Sequence, residues 1–184
     1  MQRYARLASL VFGIMMLVLS AAVTVETIVR KVLSVSLGGI DELSGYAIAV
    51  GAPLAFAVTL IDQSHIRINL LHMRMPKAAQ ACLNALAAIS LGALALFLLI
   101  FTVDTVIDTQ AYRSIAQTPW ATPLIYPQSL WLVAMILFAI PATWLAARAV
   151  ILLAGRKWGA LNREFSPETP EDELKAELQD MKRR

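Results

Sequence analysis

Cysteine is nearly absent. Cys82 is the only one in 184 residues, which excludes a disulfide framework or a dithiol pair within the chain. Charge is scarce too: Asp, Glu, Lys and Arg make up 16% of the sequence, against about 25% in an ordinary soluble domain. With 58% hydrophobic residues and a mean hydropathy of +0.64, the composition argues against a water-soluble globular enzyme. It also argues against disorder over most of the length, because low hydrophobicity is the signature of disorder. There is no phosphate-binding glycine loop. The two histidines, His65 and His72, stand seven apart on one helical face, with no Cys or acid at ligand spacing to complete a metal site. No histidine pair lies inside an apolar run to hold haem. No catalytic group set and no cofactor is expected, and nothing in the chain suggests a nucleic-acid partner.

What the chain does have is four long apolar runs. A transmembrane helix needs about 20 mostly apolar residues. Residues 7–25, 43–61 and 78–103 are uncharged, as is 114–147, where Pro119, Pro123 and Pro127 break the first part. Proline lacks the donor that a helix interior needs, so the fourth span is placed near 127–150. The predicted fold is all-α: four transmembrane helices in a membrane domain of residues 1–161, followed by a charged tail, 162–184. Arg3, Arg6 and the run after them share features with a signal peptide. The run is longer than such a core, and hydrophobicity resumes after Glu26, so it is read as a retained helix.

Loop cations give the direction, since cytoplasmic loops carry the excess of Lys and Arg. With the N-terminus inside, thirteen basic residues are cytoplasmic. Only Arg30, Lys31 and Arg113 are outside. Both termini are therefore expected in the cytoplasm. Trp120, Tyr126 and Trp131 suit the membrane–water boundary.

The inner loop is not a plain polar turn. Ile66, Leu70 and Met73 form one apolar line at helical spacing, and Ile68, Leu71 and Met75 another. A short interfacial helix over about 63–76 is expected, with Asp62 or Ser64 at its start and Pro76 at its end. In the tail, Thr169-Pro170-Glu171-Asp172 reads as a helix start, with Leu174, Leu178 and Met181 in line over about 170–182.

No ionisable residue lies near the middle of any span. A charge at midplane costs at least about 2.5–3.5 kcal/mol and is kept mainly for ion pathways and proton relays. The spans offer small residues instead: Ala47, Gly51 and Ala55 in the second, Ala88 and Gly92 in the third, Ala142 and Ala146 in the fourth. Such faces let helix backbones approach closely. Pro53 and Pro141 are expected to kink their helices.

The order of these features resembles the small membrane subunit of tripartite ATP-independent periplasmic (TRAP) transporters, the DctQ-like proteins, over roughly residues 5–155. The most specific piece is His65-Ile66-Arg67-Ile68-Asn69-Leu70-Leu71 followed by Pro76, where the family tends to read His-Ile-x-Val-Asp-Leu-Leu and a proline. Ile68 and Asn69 depart from that pattern. Arg30, Asp41-Glu42-Leu43, and Thr122-Pro123 with Pro127 support it.

The resemblance implies a multi-pass protein of the bacterial inner membrane that works with two partners. One is a large multi-span permease subunit that carries substrate and sodium. The other is a periplasmic protein that captures an organic anion. The small subunit would extend the static scaffold. Arg30, Lys31 and Arg113 become candidate contacts to the binding protein. His65, Arg67, Asn69 and Arg74 become candidate contacts to membrane lipids or the large subunit. The competing readings are a stand-alone homo-oligomeric transporter or exporter, and the small subunit of a tricarboxylate-type tripartite system.

Overall fold

The structure is a computed structural model that describes residues 2–61 and 75–165, together with Leu178 and Met181. Among the described residues there are five helices: α1 (Gln2–Leu33), α2 (Ile40–Ile61), α3 (Lys77–Tyr112), α4 (Ile125–Ala154) and α5 (Trp158–Phe165). The first four are long and apolar enough to cross a membrane. No strand forms among the described residues; Ile115 and Pro123 make one isolated bridge. The all-α architecture with four spans is therefore as the sequence predicts. The interfacial helix expected over 63–76 and the tail helix over 170–182 fall almost wholly outside the described residues.

The four long helices alternate in direction and pack as a row rather than a closed ring. α1 lies chiefly on α2, α2 on α4, and α4 on α3. Consequently only 6% of the apolar window of α1 is buried, against 39% for α2. α1 begins, and α4 ends, at the same end of the row.

Small residues make the close contacts. Gly92 of α3 sits so tightly against Ala146 and the carbonyl of Ala142 that no side chain fits there. Gly51 of α2 admits Phe12 and Met15 of α1: a Cβ at Gly51 would lie 3.0 Å from the Phe12 ring and 2.9 Å from the Met15 methyl. Between α2, α3 and α4, a core forms from Ala57, Leu60, Ala95, Met135, Phe138 and Ala139. Pro53 is buried inside α2 and Pro141 lies inside α4, and both helices continue past them. Pro127 falls in the first turn of α4, where its missing N–H would have had no helical partner.

α5 was not anticipated from sequence. α4 ends in a Schellman turn: Lys157 N–H donates to Leu152 O and Arg156 N–H to Leu153 O, with Arg156 left-handed at φ 52°. The turn folds the chain back, and Trp158, Leu161 and Phe165, at i, i+3 and i+7, face the body. Leu161 and Phe165 bury themselves against Ala81 and Ala85 of α3 and Ala149 of α4. Polar ties surround them. Buried Asn84 donates to Asn162 at 3.2 Å, Asn162 donates to Lys77 O at 2.9 Å, and Arg148 pairs with Glu164. These ties lie at the end of the row where α1 begins and α4 ends.

The glycine contacts make a sharp stability prediction. Gly92→Leu forces α3 from α4 and lowers the melting temperature in detergent, by an overpacking cost of about 1–3 kcal/mol. Gly13→Leu, where a Cβ meets open space, leaves the melting temperature near that of the unsubstituted chain.

Candidate functional site

The opposite end of the row holds two buried carboxylates, Glu26 and Glu42, at 5% and 7% exposure. Each is placed by an apolar helix that ends or begins there. A carboxylate at the edge of hydrocarbon needs donors, because burying a charge without partners is costly. This chain supplies them from its own connections.

Glu26 lies on α1, two turns before its end. Its Oε1 accepts from Arg30 Nη2 at 2.7 Å, Arg30 Nε at 3.1 Å and Ser36 Oγ at 2.7 Å. Its Oε2 accepts from Leu37 N–H at 2.8 Å. Ser36 Oγ in turn accepts from Gly38 N–H at 3.1 Å. One side chain thus gathers the whole link from Ser34, left-handed at φ 55°, to Gly38 at φ 73°.

Glu42 opens α2 and ties the link to the connection between α3 and α4. Its Oε1 accepts from the Tyr46 hydroxyl at 2.6 Å. Its Oε2 accepts from the Thr118 hydroxyl, and Thr122 adds a further hydrogen bond. That connection is a small hairpin, with Ala116 N–H on Thr122 O at 2.9 Å and Leu124 N–H on Ser114 O at 3.0 Å. The Trp120 ring lies directly over Gly39, in the space a Cβ would take, and Pro119 covers Gly38. Glycine is required at residue 39 by that stacked ring.

Of the residues predicted from sequence, Arg30 is committed to Glu26 and Ser36, although its side chain is 59% exposed. Lys31 is exposed beside it. Arg113 has a backbone role: it caps α3 in the left-handed conformation, φ 48° and ψ 46°, with its N–H on Thr109 O. The three cations do not form one patch. Arg30 and Lys31 line a groove between α1 and α2 with Asp41. Arg113 lines a separate hollow with Thr109, Ile115 and Pro123. His65, Arg67, Asn69 and Arg74 lie outside the described residues. No group of three or more His, Cys, Asp or Glu suited to a metal occurs among the described residues.

Sequence reasoning missed Glu26 and Glu42 as anchors. The available signal was an acid at each edge of the first connection, together with the hydroxyls of Ser36, Thr118 and Thr122. Chemically, the arrangement fixes loops. The acceptor positions of both carboxylates are taken up by donors of their own chain.

The family described as tripartite ATP-independent periplasmic transporters, DctQ component, matches this chain over residues 19–153. The match begins two turns before Glu26 and ends at the last turn of α4. It therefore takes in both carboxylates, their partners and the close contact at Gly92, while Phe12 and Met15, which meet Gly51, precede it. No curated protein matches the chain.

Glu42→Ala removes the acceptor for Thr118, Thr122 and Tyr46. Hydrogen exchange in the 114–122 hairpin is expected to rise severalfold in that variant, while exchange in α5 at the far end stays unchanged. Equal acceleration at both ends would show a global loss of stability instead of a local anchor.

Proposed function

This chain belongs to the DctQ component family of TRAP transporters, and we propose that it serves there as a static scaffold: it braces the large membrane subunit along α3 and offers part of the docking surface for the periplasmic binding protein. The transported solute is then an organic anion, and its path lies in the large subunit. The protein sits in the bacterial inner membrane with both termini in the cytoplasm, which makes the carboxylate end periplasmic.

One observation carries the bracing role. The row has two free edges, and they differ. The outward face of α1 is aliphatic, with Leu10, Ile14, Leu17 and Val18 exposed, and suits lipid tails. The outward face of α3 exposes Leu83, Ala87, Ser90, Leu94, Phe97 and Phe101 at alternating spacings of four and three. That spacing allows packing against a neighbouring helix, and Leu7, Leu10, Ile14 and Leu17 of α1 share it; what sets α3 apart is the charge at the end of the line. The same line continues into Asp104 and Asp108, both exposed. Ala57, Ala95 and Ala139 share one cluster and mark a common depth. At about 1.5 Å per residue, Asp104 lies about 13.5 Å from that depth and Glu42 about 22.5 Å. Asp104 therefore stands about 9 Å deeper than Glu42, on a face that lipid would not satisfy.

Docking would use the cations left free of internal bonds. Among the described residues at the carboxylate end these are Lys31 and Arg113. Arg30 is held by Glu26, so replacing it disturbs the link as well as the surface charge.

Two measurements test this reading. The double variant Asp104→Lys/Asp108→Lys should lose most co-purification with the large subunit, whereas Leu17→Phe on the α1 edge should keep it. Retention of the complex by the aspartate variant would place the large subunit elsewhere. Separately, Lys31→Glu/Arg113→Glu should leave the membrane complex intact and weaken its affinity for the binding protein by about tenfold at low salt, less at high salt. An unchanged affinity would remove these cations from the docking surface.

A further inference from the structure

A groove of about 520 Å³ opens between α1 and α2 at the carboxylate end. Val23 and Ile40 are its apolar lining, and its charged lining is Glu26, Arg30 and Lys31 from α1 and Asp41 from α2, which form its polar rim. Opposite charges thus face one hollow from two helices. They do not neutralise each other: neither Lys31 nor Asp41 makes an ion pair or hydrogen bond among the described residues. Arg30 is partly offset by Glu26. The Thr27 and Ser44 hydroxyls donate back to Val23 O and Ile40 O at 2.8 and 2.7 Å, which leaves their oxygens able to accept.

The location restricts the occupant. The lining residues stand where two apolar spans reach their ends, with the aliphatic Val23 and Ile40 beside the charged groups. A molecule that fills the groove from within the bilayer has an apolar part beside Val23 and Ile40 and a polar part at the rim. The rim needs both an anion, for Lys31 and Arg30, and a cation able to donate hydrogen bonds, for Asp41 and the Ser44 hydroxyl oxygen. A phosphate linked to a primary ammonium meets all of these needs. We propose that this groove is a headgroup site for an aminophospholipid of the phosphatidylethanolamine type, with the phosphate at Lys31 and Arg30 and the ammonium at Asp41. A phosphatidylglycerol supplies the anion without the cation. A phosphatidylcholine carries the cation without N–H donors.

A lipid held there fills the gap between α1 and α2 beside the Glu26 network. It lends α1, which has little protein contact of its own, a second surface to rest on. The site depends on the chain lying in a bilayer and is independent of which protein partner binds α3. Failure of the site leaves the bracing along α3 untouched, and the reverse also holds; Lys31 is shared with the docking reading, whereas Asp41, the residue that decides the lipid test, is not.

Native mass spectrometry of the full-length protein, titrated with phosphatidylethanolamine, phosphatidylcholine and phosphatidylglycerol of matched acyl chains, tests the proposal. Phosphatidylethanolamine should bind about fivefold tighter than the other two, the scale of one well-formed exposed charge pair. Asp41→Asn should reduce it to the phosphatidylcholine level and leave phosphatidylglycerol unchanged. Asp41→Glu should keep the preference, and Lys31→Ala should weaken all three lipids. Equal binding of the three lipids, or a preference that survives Asp41→Asn, would overturn the assignment.

Discussion

A carboxylate at the rim of a bilayer is short of water on one side, and whatever donates to it becomes fixed in place. Glu26 and Glu42 use this constraint to determine the geometry of one whole end of the molecule. Glu26 takes the Leu37 amide, the Ser36 hydroxyl and the Arg30 guanidinium. The residues after α1 have no regular ladder, so without that acceptor the Leu37 amide loses its partner and Ser36, which receives the Gly38 amide, loses its own anchor. Glu42 then reaches the Thr118 hydroxyl, 76 residues along the chain. The two connections, separate in sequence, become one surface with Trp120 lying on Gly39. Apolar helix faces alone would not do this. Lipid tails are as apolar as leucine, so burial between spans supplies little direction.

The far end is fixed by a different device. α5 is eight residues long, too short to be stable on its own. It holds because Ala81, Ala85 and Ala149 leave room for Leu161 and Phe165, and because Asn84 and Asn162 bond across the gap. Arg148 and Glu164 close the outer side. Between the two ends, Gly92 and Gly51 bring backbones together. The row is thus pinned by polar groups at both ends and by close packing along its length. A row without these pins would slide, since its faces are otherwise smooth and aliphatic.

The spans were legible because hydropathy over 20 residues is a strong signal with one physical cause. The close contact at Gly92 was legible as well, from small residues recurring every four positions. The anchors were not. Glu26 and Glu42 find partners 11 and 76 residues away, and hydroxyls in irregular loops leave no periodic trace. Arg113 reads in the sequence as a surface cation, but its backbone caps α3, and a left-handed conformation in a non-glycine residue has no sequence mark. α5 was hidden for another reason. Its apolar positions, Trp158, Leu161 and Phe165, are interleaved with Asn162, Arg163 and Glu164, and the charged tail that follows draws the eye away from their spacing. The loop cations gave a topology by counting, but counting carries no information on whether they meet, and Arg113 faces a different hollow from Arg30 and Lys31.

A row differs from a ring in what it leaves uncovered. A closed four-helix ring buries one face of every helix and has no edge. Here α1 and α3 each keep most of their circumference outward. For α1 this costs little, because aliphatic side chains in contact with lipid are already in their preferred surroundings. For α3 the aromatic pair Phe97–Phe101, with ring centroids 4.7 Å apart, leads to two exposed carboxylates, Asp104 and Asp108, which the proposed reading sets deeper than Glu42. Carboxylates at such a depth cost about 2.5–3.5 kcal/mol at most, falling toward the interface. The chain spends its own donors on Glu26 and Glu42 and leaves these two without internal partners among the described residues. An unpinned edge with unmet acceptors is the feature that separates a surface built for a protein neighbour from one built for lipid. It lies on the helix farthest from the lipid-like edge of α1, and on the proposed reading the two faces divide the molecule between bilayer and partner.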